Sequence, residues 1–158
     1  MNNIARPAAL VTGGATRLGL AFSNFLAKAG YDIALHYNGS AVAAKLAAKN
    51  IEELGVSCAT FQADLSESDP AKLIRKASDN FPNLTVLVNS ASVYDAATID
   101  NTTIQLLQKQ FTVNLFAPFM LTQAFAKMCS NRADLKGIVI NILDNKISFQ
   151  QHSYAAYL

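Results

Sequence analysis

The sequence predicts an α/β domain built on a doubly wound parallel sheet, and three observations lead there. Short apolar runs alternate with longer helical stretches along the whole chain. The first apolar run feeds directly into a glycine-rich turn that opens a helix. No repeat, low-complexity tract or Pro/Gly-rich linker interrupts the series, so the 158 residues read as one domain spanning 1–158.

The elements follow in order. Ala8 to Val11 is a short apolar strand, and Thr12 to Gly19 is the glycine-rich turn. Leu18 to Ala29 is helical, because Leu18, Phe22, Phe25, Leu26 and Ala29 recur at spacings of three and four. Gly30 stops it from the position where a left-handed residue ends a helix. Asp32 to His36 is the second strand. Ala41 to Leu54 is an Ala- and Lys-rich helix stopped by Gly55, and Ser57 to Gln62 is the third strand. Pro70 to Asp79 is a helix with proline in its favoured first turn. Thr85 to Val88 is the fourth strand, Ile104 to Met128 a long helix, and Gly137 to Ile142 the fifth strand. Right-handed crossovers leave few topologies for five such strands, and the order 3-2-1-4-5 is the one expected.

Composition excludes several classes. Hydrophobic residues make up 51% and charged residues 15%, which rules out a disordered chain. A net charge of +2, from 13 Lys/Arg against 11 Asp/Glu, with no basic cluster, gives no footprint for nucleic acid. No apolar run approaches the ~18 residues of a membrane span. Residues 1–7 hold no apolar segment of a secretory leader. Cys58 and Cys129 stand apart in no metal-type spacing, and His36 and His152 are too few for a histidine metal site. Two free thiols fit a reducing cytoplasm, which is the expected location.

The turn between the first strand and helix reads Thr12-Gly13-Gly14-Ala15-Thr16-Arg17-Leu18-Gly19. Unpaired N–H groups at a helix N-terminus, beside the positive end of its dipole, suit a dinucleotide pyrophosphate. Gly13 would allow the tight turn and Gly19 the close approach of helix to sheet. Arg17 replaces the middle glycine of the usual fingerprint. It is either a solvated surface charge or a cation held over the phosphates. A site that prefers NAD places an acid at the end of the second strand for the ribose hydroxyl. Here the strand ends His36-Tyr37-Asn38-Gly39-Ser40, without one. A 2′-phosphate could sit near Arg17, His36 and Ser40, which favours NADP(H).

Farther along, the expected third strand is followed by Ala63-Asp64-Leu65, the fourth runs into Val88-Asn89-Ser90-Ala91-Ser92, and the long helix carries Val113-Asn114-Leu115. With the glycine turn, these motifs lie in the order of the short-chain dehydrogenase/reductases, which the chain resembles from end to end. Arg17, His36-Tyr37 with Ser40, Ser92, and Asp144 in place of the usual serine are similar to the pteridine reductase subgroup. Gly39, where an arginine would help hold the 2′-phosphate, and Ser90, in place of a second asparagine, depart from it.

The resemblance implies a Rossmann-type dinucleotide-binding domain whose family C-terminal strands and helices are missing. It also implies an NADPH-dependent reductase of a pterin-like substrate; a general carbonyl or 3-oxoacyl reductase, or a nucleotide-binding module without activity, are the alternatives. Nucleotide-binding residues would be Gly13, Arg17, Leu18, Gly19, His36, Tyr37, Asn38, Ser40, Asp64, Leu65, Asn89, Ser90 and Ala91. Ser92, Tyr94 and Asp144 would face substrate, Tyr94 by stacking on the pterin ring and Asp144, as a catalytic residue, by helping to protonate or hydrogen-bond its ring nitrogens. Tyr157, 13 residues after Asp144, would be the proton donor. The lysine that lowers such a tyrosine's pKa would stand at position 161, past Leu158, so the 158-residue chain is expected to be inactive by itself.

Asn114 carries a local argument of its own. In an α-helix its carbonyl would accept from residue 118, which is Pro118 and has no N–H. The helix should bend there, and the carbonyl could hold a water that relays protons to the tyrosine. The long helix is apolar nearly all round between Leu115 and Phe125, so a second subunit is expected to pack across it as a homodimer or homotetramer.

Overall fold

The structure is a computed structural model that describes residues 6–132, 135–144 and 153–157. Its centre is a five-stranded parallel sheet in the order β3-β2-β1-β4-β5. The strands are β1 (Ala8–Val11), β2 (Asp32–Tyr37), β3 (Cys58–Gln62), β4 (Leu84–Asn89) and β5 (Ile138–Asn141). Helices α1 (Arg17–Lys28), α2 (Ala41–Glu52), α3 (Pro70–Asn80), α4 (Ile104–Phe111) and α5 (Ala117–Ser130) make the connections. The predicted fold class, strand order and every predicted element are present, with ends moved by a residue or two.

Strand parity sorts the core. Ala8 and Leu10 face one side, with Leu73, Ile74, Leu121 and Phe125 from α3 and α5. Ala9 and Val11 face the other, with Leu26, Ala44, Ala47 and Ile51 from α1 and α2. All four β1 residues are buried, as expected of a central parallel strand covered on both faces. This sandwich fixes the carboxyl ends of β1, β2 and β4 side by side, with Val11 in register with both Leu35 and Val88.

Two helix beginnings are capped and two are not. Asp69 accepts from the Ala71 N–H ahead of α3, and Thr103 accepts from the Leu106 N–H ahead of α4. Thr16 before α1 and Ser40 before α2 make no such bond. The uncapped pair follows β1 and β2.

The long helix differs from expectation at its middle. α4 and α5 are joined by a π-helical turn, Thr112–Phe116, in which the Ala117 N–H donates to the Thr112 carbonyl. Pro118 offers no N–H to the preceding turn, and the extra residue of the π turn accommodates the gap. The apolar surface also divides more sharply than predicted. Leu121 and Phe125 are buried in the core, whereas Phe111, Leu115, Phe116, Phe119 and Met120 are exposed.

Candidate functional site

The glycine turn is held from three sides. Gly13 adopts φ +64°, and a Cβ there would lie 3.0 Å from the Ala91 backbone. At Gly19 a Cβ would lie 2.2 Å from the Gly13 carbonyl oxygen. Gly19 therefore packs on the turn itself rather than on the sheet, as the sequence reading had it. Gly14, which that reading passed over, is closed in by Ser23 Oγ and the Val11 carbonyl. The Thr12 hydroxyl accepts from the Ser90 and Ala91 N–H groups at 2.9 and 3.0 Å and ties the turn to the end of β4. Thr12 is a fourth residue of the turn with a specific task. Its signal in sequence was only its place before the glycines.

His36 corrects an expectation. Its side chain is buried; Nδ1 accepts from the Gly13 N–H at 3.1 Å, and Nε2 lies 3.0 Å from the Ala63 carbonyl. That pairing requires the neutral ring with its proton on Nε2. Both nitrogens are engaged by backbone, so the ring braces the turn against the third crossover and offers a 2′-phosphate nothing. Burial holds its pKa below the ordinary value, against weaker opposing pulls from the Ala63 carbonyl and Asp64. The unfolded chain takes up this proton first as pH falls past about 6.5. The stabilisation is thus fully present above that value and is lost as pH falls toward the lower folded value. Thermal melts should show Tm declining below pH ~6.5, and the decline should be shallower in His36→Gln. Parallel profiles would remove His36 from this role.

Around the turn lie the polar groups a nucleotide could meet. Arg17 and Leu18 are exposed at the open start of α1, and Arg17 takes φ +50°, a conformation that suits glycine. The exposed Asn38 and Ser40 precede the uncapped α2, while Tyr37 is half-buried against the core. Asp64 Oδ1 accepts from the Ser66 N–H and hydroxyl at 2.8 and 2.6 Å. The two Ser66 bonds are the main reason its pKa is lowered. Leu65 is buried, leaving its backbone as the part a ligand could reach.

Asn89 has a structural task as well. It is buried, and its Nδ2 donates to Asn141 Oδ1 at 2.9 Å and to Thr122 Oγ1 at 3.3 Å. Its amide nitrogen ties β4 to β5 and α5, while its Oδ1 is buried with no hydrogen-bond partner among the described residues. Ser90 and Ala91 form the wall beside Gly13, and Ser92 is exposed. Asn114 grips the next residue at both ends: Oδ1 accepts from the Val93 N–H at 2.9 Å and Nδ2 donates to the Val93 carbonyl at 2.8 Å. The sequence argument looked to the Asn114 backbone carbonyl; the side chain is what the structure puts to use.

Tyr94 follows Val93 and meets the last described segment. The Tyr154 ring stacks on it at 3.9 Å with an interplanar angle of 8°, and Tyr157 meets it edge-on at 4.5 Å. One face of Tyr94 is therefore covered by Tyr154, where the sequence reading expected a substrate ring. Main-chain bonds from Ala97 N–H to Ser153 O and from Ala155 N–H to Ala97 O, each 2.8 Å, hold the segment in place. The Tyr157 hydroxyl donates to Asp144 Oδ2 at 3.2 Å. Burial first, then Asp144 and Tyr94, raise the Tyr157 pKa. This edge thus offers a protonated hydroxyl on a carboxylate, beside an aromatic ring. Among the described residues no group of acids, cysteines and histidines could hold a metal.

The comparisons bear on this arrangement. A family profile described as short chain dehydrogenase matches residues 7–157. An uncharacterized oxidoreductase of Methylorubrum extorquens is 32% identical over 143 residues, 90% of this chain and 56% of that protein. The 3-oxoacyl-[acyl-carrier-protein] reductase FabG of Staphylococcus aureus is 31% identical, over 85% of this chain and 54% of that one. The solved structure of FolM alternative dihydrofolate reductase 1 from Brucella canis, complexed with NADP, superposes with a TM-score of 0.87 at 31% identity. That match covers 98% of this chain and 61% of the other. The chain spans about half the length of the relatives it matches.

Proposed function

Since the chain belongs to the short-chain dehydrogenase family, we propose that it is the nucleotide-binding part of an NADPH-dependent reductase acting on a pterin-type ring. The observation that carries this reading is the Tyr157–Asp144 contact at 3.2 Å beside Tyr94. A phenol held on a carboxylate beside an aromatic ring is placed to pass a proton to a substrate gaining negative charge, and because burial and Asp144 raise its pKa it needs a cation such as the family's lysine to do so near neutral pH. The likeness to a dihydrofolate reductase structure solved with NADP supports the cofactor and the ring type.

The glycine cradle and the open starts of α1 and α2 fit a dinucleotide, because backbone N–H groups there have no side-chain cap. Gly13 and Gly19 keep the cradle empty of side chains, and Arg17 and Ser40 stand ready for a 2′-phosphate. When bound, the dihydronicotinamide would supply a hydride. Ser92, Tyr94 and Asp144 line the substrate side. Tyr157 donates the proton, and Asp144 orients its hydroxyl. Asn114 keeps the Tyr94 loop in position. Turnover of dihydropterin or biopterin with NADPH by a chain of the relatives' length, compared with a 3-oxoacyl thioester, tests the assignment. A preference for the thioester would favour the second reading, which the FabG relative supports.

Cofactor choice has its own test. Arg17→Ala should weaken NADPH at least tenfold more than NADH, since a charge-assisted contact to phosphate contributes about 1.5–3 kcal/mol. Equal losses in paired titrations would place Arg17 on the shared pyrophosphate or on nothing.

The exposed stripe of Phe111, Leu115, Phe116, Phe119 and Met120 supports self-association as a homodimer or homotetramer through the α4–α5 face. The free Cys58 and Cys129 fit a cytoplasmic setting. Among the described residues no helix is long and apolar enough to cross a membrane.

A further inference from the structure

Gln110 is an oddity of its helix: an uncharged polar side chain, 2% exposed, and the one buried residue of α4, whose leucines and isoleucine are more open than it is. A buried amide needs partners on both its atoms. One orientation of Gln110 accepts only from Asn114 Nδ2, at 2.9 Å. The other donates to the Val93 carbonyl at 2.7 Å and accepts from the Asp95 N–H at 3.0 Å, while setting its nitrogen 2.9 Å from Asn114 Nδ2, donor against donor. The second engages both atoms and is favoured on that ground.

Two neighbours grip the same loop. Lys109 pairs with the Asp95 carboxylate at 2.8 Å, and Asn114 holds both ends of Val93. Gln110 and Asn114 are four residues apart and so lie on one helix face. Between them the helix opens into the π turn. The loop residue so enclosed is Tyr94, whose ring meets Tyr157.

We propose that Gln110 is a positioning residue that, with Asn114, clasps Val93 and Asp95 and thereby fixes Tyr94 against the tyrosine of the active edge. Its consequence for catalysis rests on the reductase reading above; the clasp itself does not. Asn114 grips Val93 at both its N–H and its carbonyl with or without Gln110, whereas the Asp95 N–H depends on Gln110. Removing Gln110 therefore frees the far side of Tyr94 and leaves the near side held.

Residue-resolved amide exchange on the protein with and without Gln110→Met tests this. Exchange at Asp95 should quicken at least tenfold, while Val93 and the β4 amides of Val86 to Val88 stay within twofold. Unchanged exchange at Asp95, or acceleration spread into β4, overturns the proposal. Lys109→Ala, a change at a half-exposed residue, serves as the second variant and should quicken Asp95 by less than threefold; an effect equal to that of Gln110→Met would assign the clasp to the ion pair instead. In kinetics, Gln110→Met should raise KM for the pterin several-fold more than it lowers kcat, and a fall in kcat alone would contradict it. Should a chain of the relatives' length, with the lysine present, reduce no pterin, the reductase reading fails while the exchange result still decides the clasp.

Discussion

Gly19→Ala should abolish nucleotide binding and destabilise the fold by about 3 kcal/mol or more, the upper range of overpacking changes. The added methyl would sit 2.2 Å from the Gly13 carbonyl oxygen and 2.7 Å from its carbon. Both are backbone atoms of a turn already fixed by His36 and Thr12, so no flexible side chain can move aside. Relief would require α1 to withdraw from the turn, which pulls the open N–H groups of its first turn away from any phosphate. Gly39→Ala is the matched control: nothing lies within 4 Å of its Cβ position, and melting should shift by less than a degree or two. Denaturant melts and NADPH titration of the two variants check the contrast. A Gly19→Ala protein that melts like the parent and binds NADPH would show that the turn is more compliant than its contacts indicate.

The fold was legible because its signals are periodic and local. Apolar runs of strand length, separated by helices that end at glycine, leave few topologies once crossovers are right-handed. β1 is buried on both faces and reads as an unbroken apolar run, Ala8 to Val11. The π turn was half legible. Pro118 announced a missing donor, but a bend, a 3₁₀ turn and an inserted residue all answer that gap, and packing of α5 on the sheet selects among them.

The site was legible in its positions and less so in its roles. His36 was placed correctly at the strand end, yet a histidine beside an anion site and a histidine braced by two backbone groups look the same in one dimension. Asn89 was named for a ligand, and no pattern in the sequence shows that its amide nitrogen also joins two strands and a helix. Gln110 was invisible, because a glutamine among Gln105, Gln108 and Lys109 reads as one more solvated position; only the loop folding back over α4 buries it. The stack of Tyr154 on Tyr94 depends on a bridge to Ala97 that no periodicity announces.

In a chain of the relatives' length, Tyr157→Phe should lower kcat for pterin reduction by about 10²–10⁴-fold, the usual worth of a positioned acid, with NADPH affinity unchanged. The ring stays and keeps its edge contact with Tyr94, so the loss measures the hydroxyl alone. Asp144→Asn separates charge from hydrogen bonding at the same place. The amide oxygen can still accept from the Tyr157 hydroxyl, but the negative charge that opposes formation of a tyrosinate is gone. With that charge present the hydroxyl holds its proton to higher pH than an ordinary tyrosine; without it the proton leaves earlier as pH rises. A reductase that relies on the protonated form should therefore lose activity at lower pH in Asp144→Asn than in the parent, with the basic limb of the kcat profile displaced downward. Burial persists in the variant, so the limb should move only part of the way toward the ordinary value near 10. A basic limb that stays put, together with a Tyr157→Phe protein within tenfold of parental kcat, would show that the proton reaches the substrate from another group.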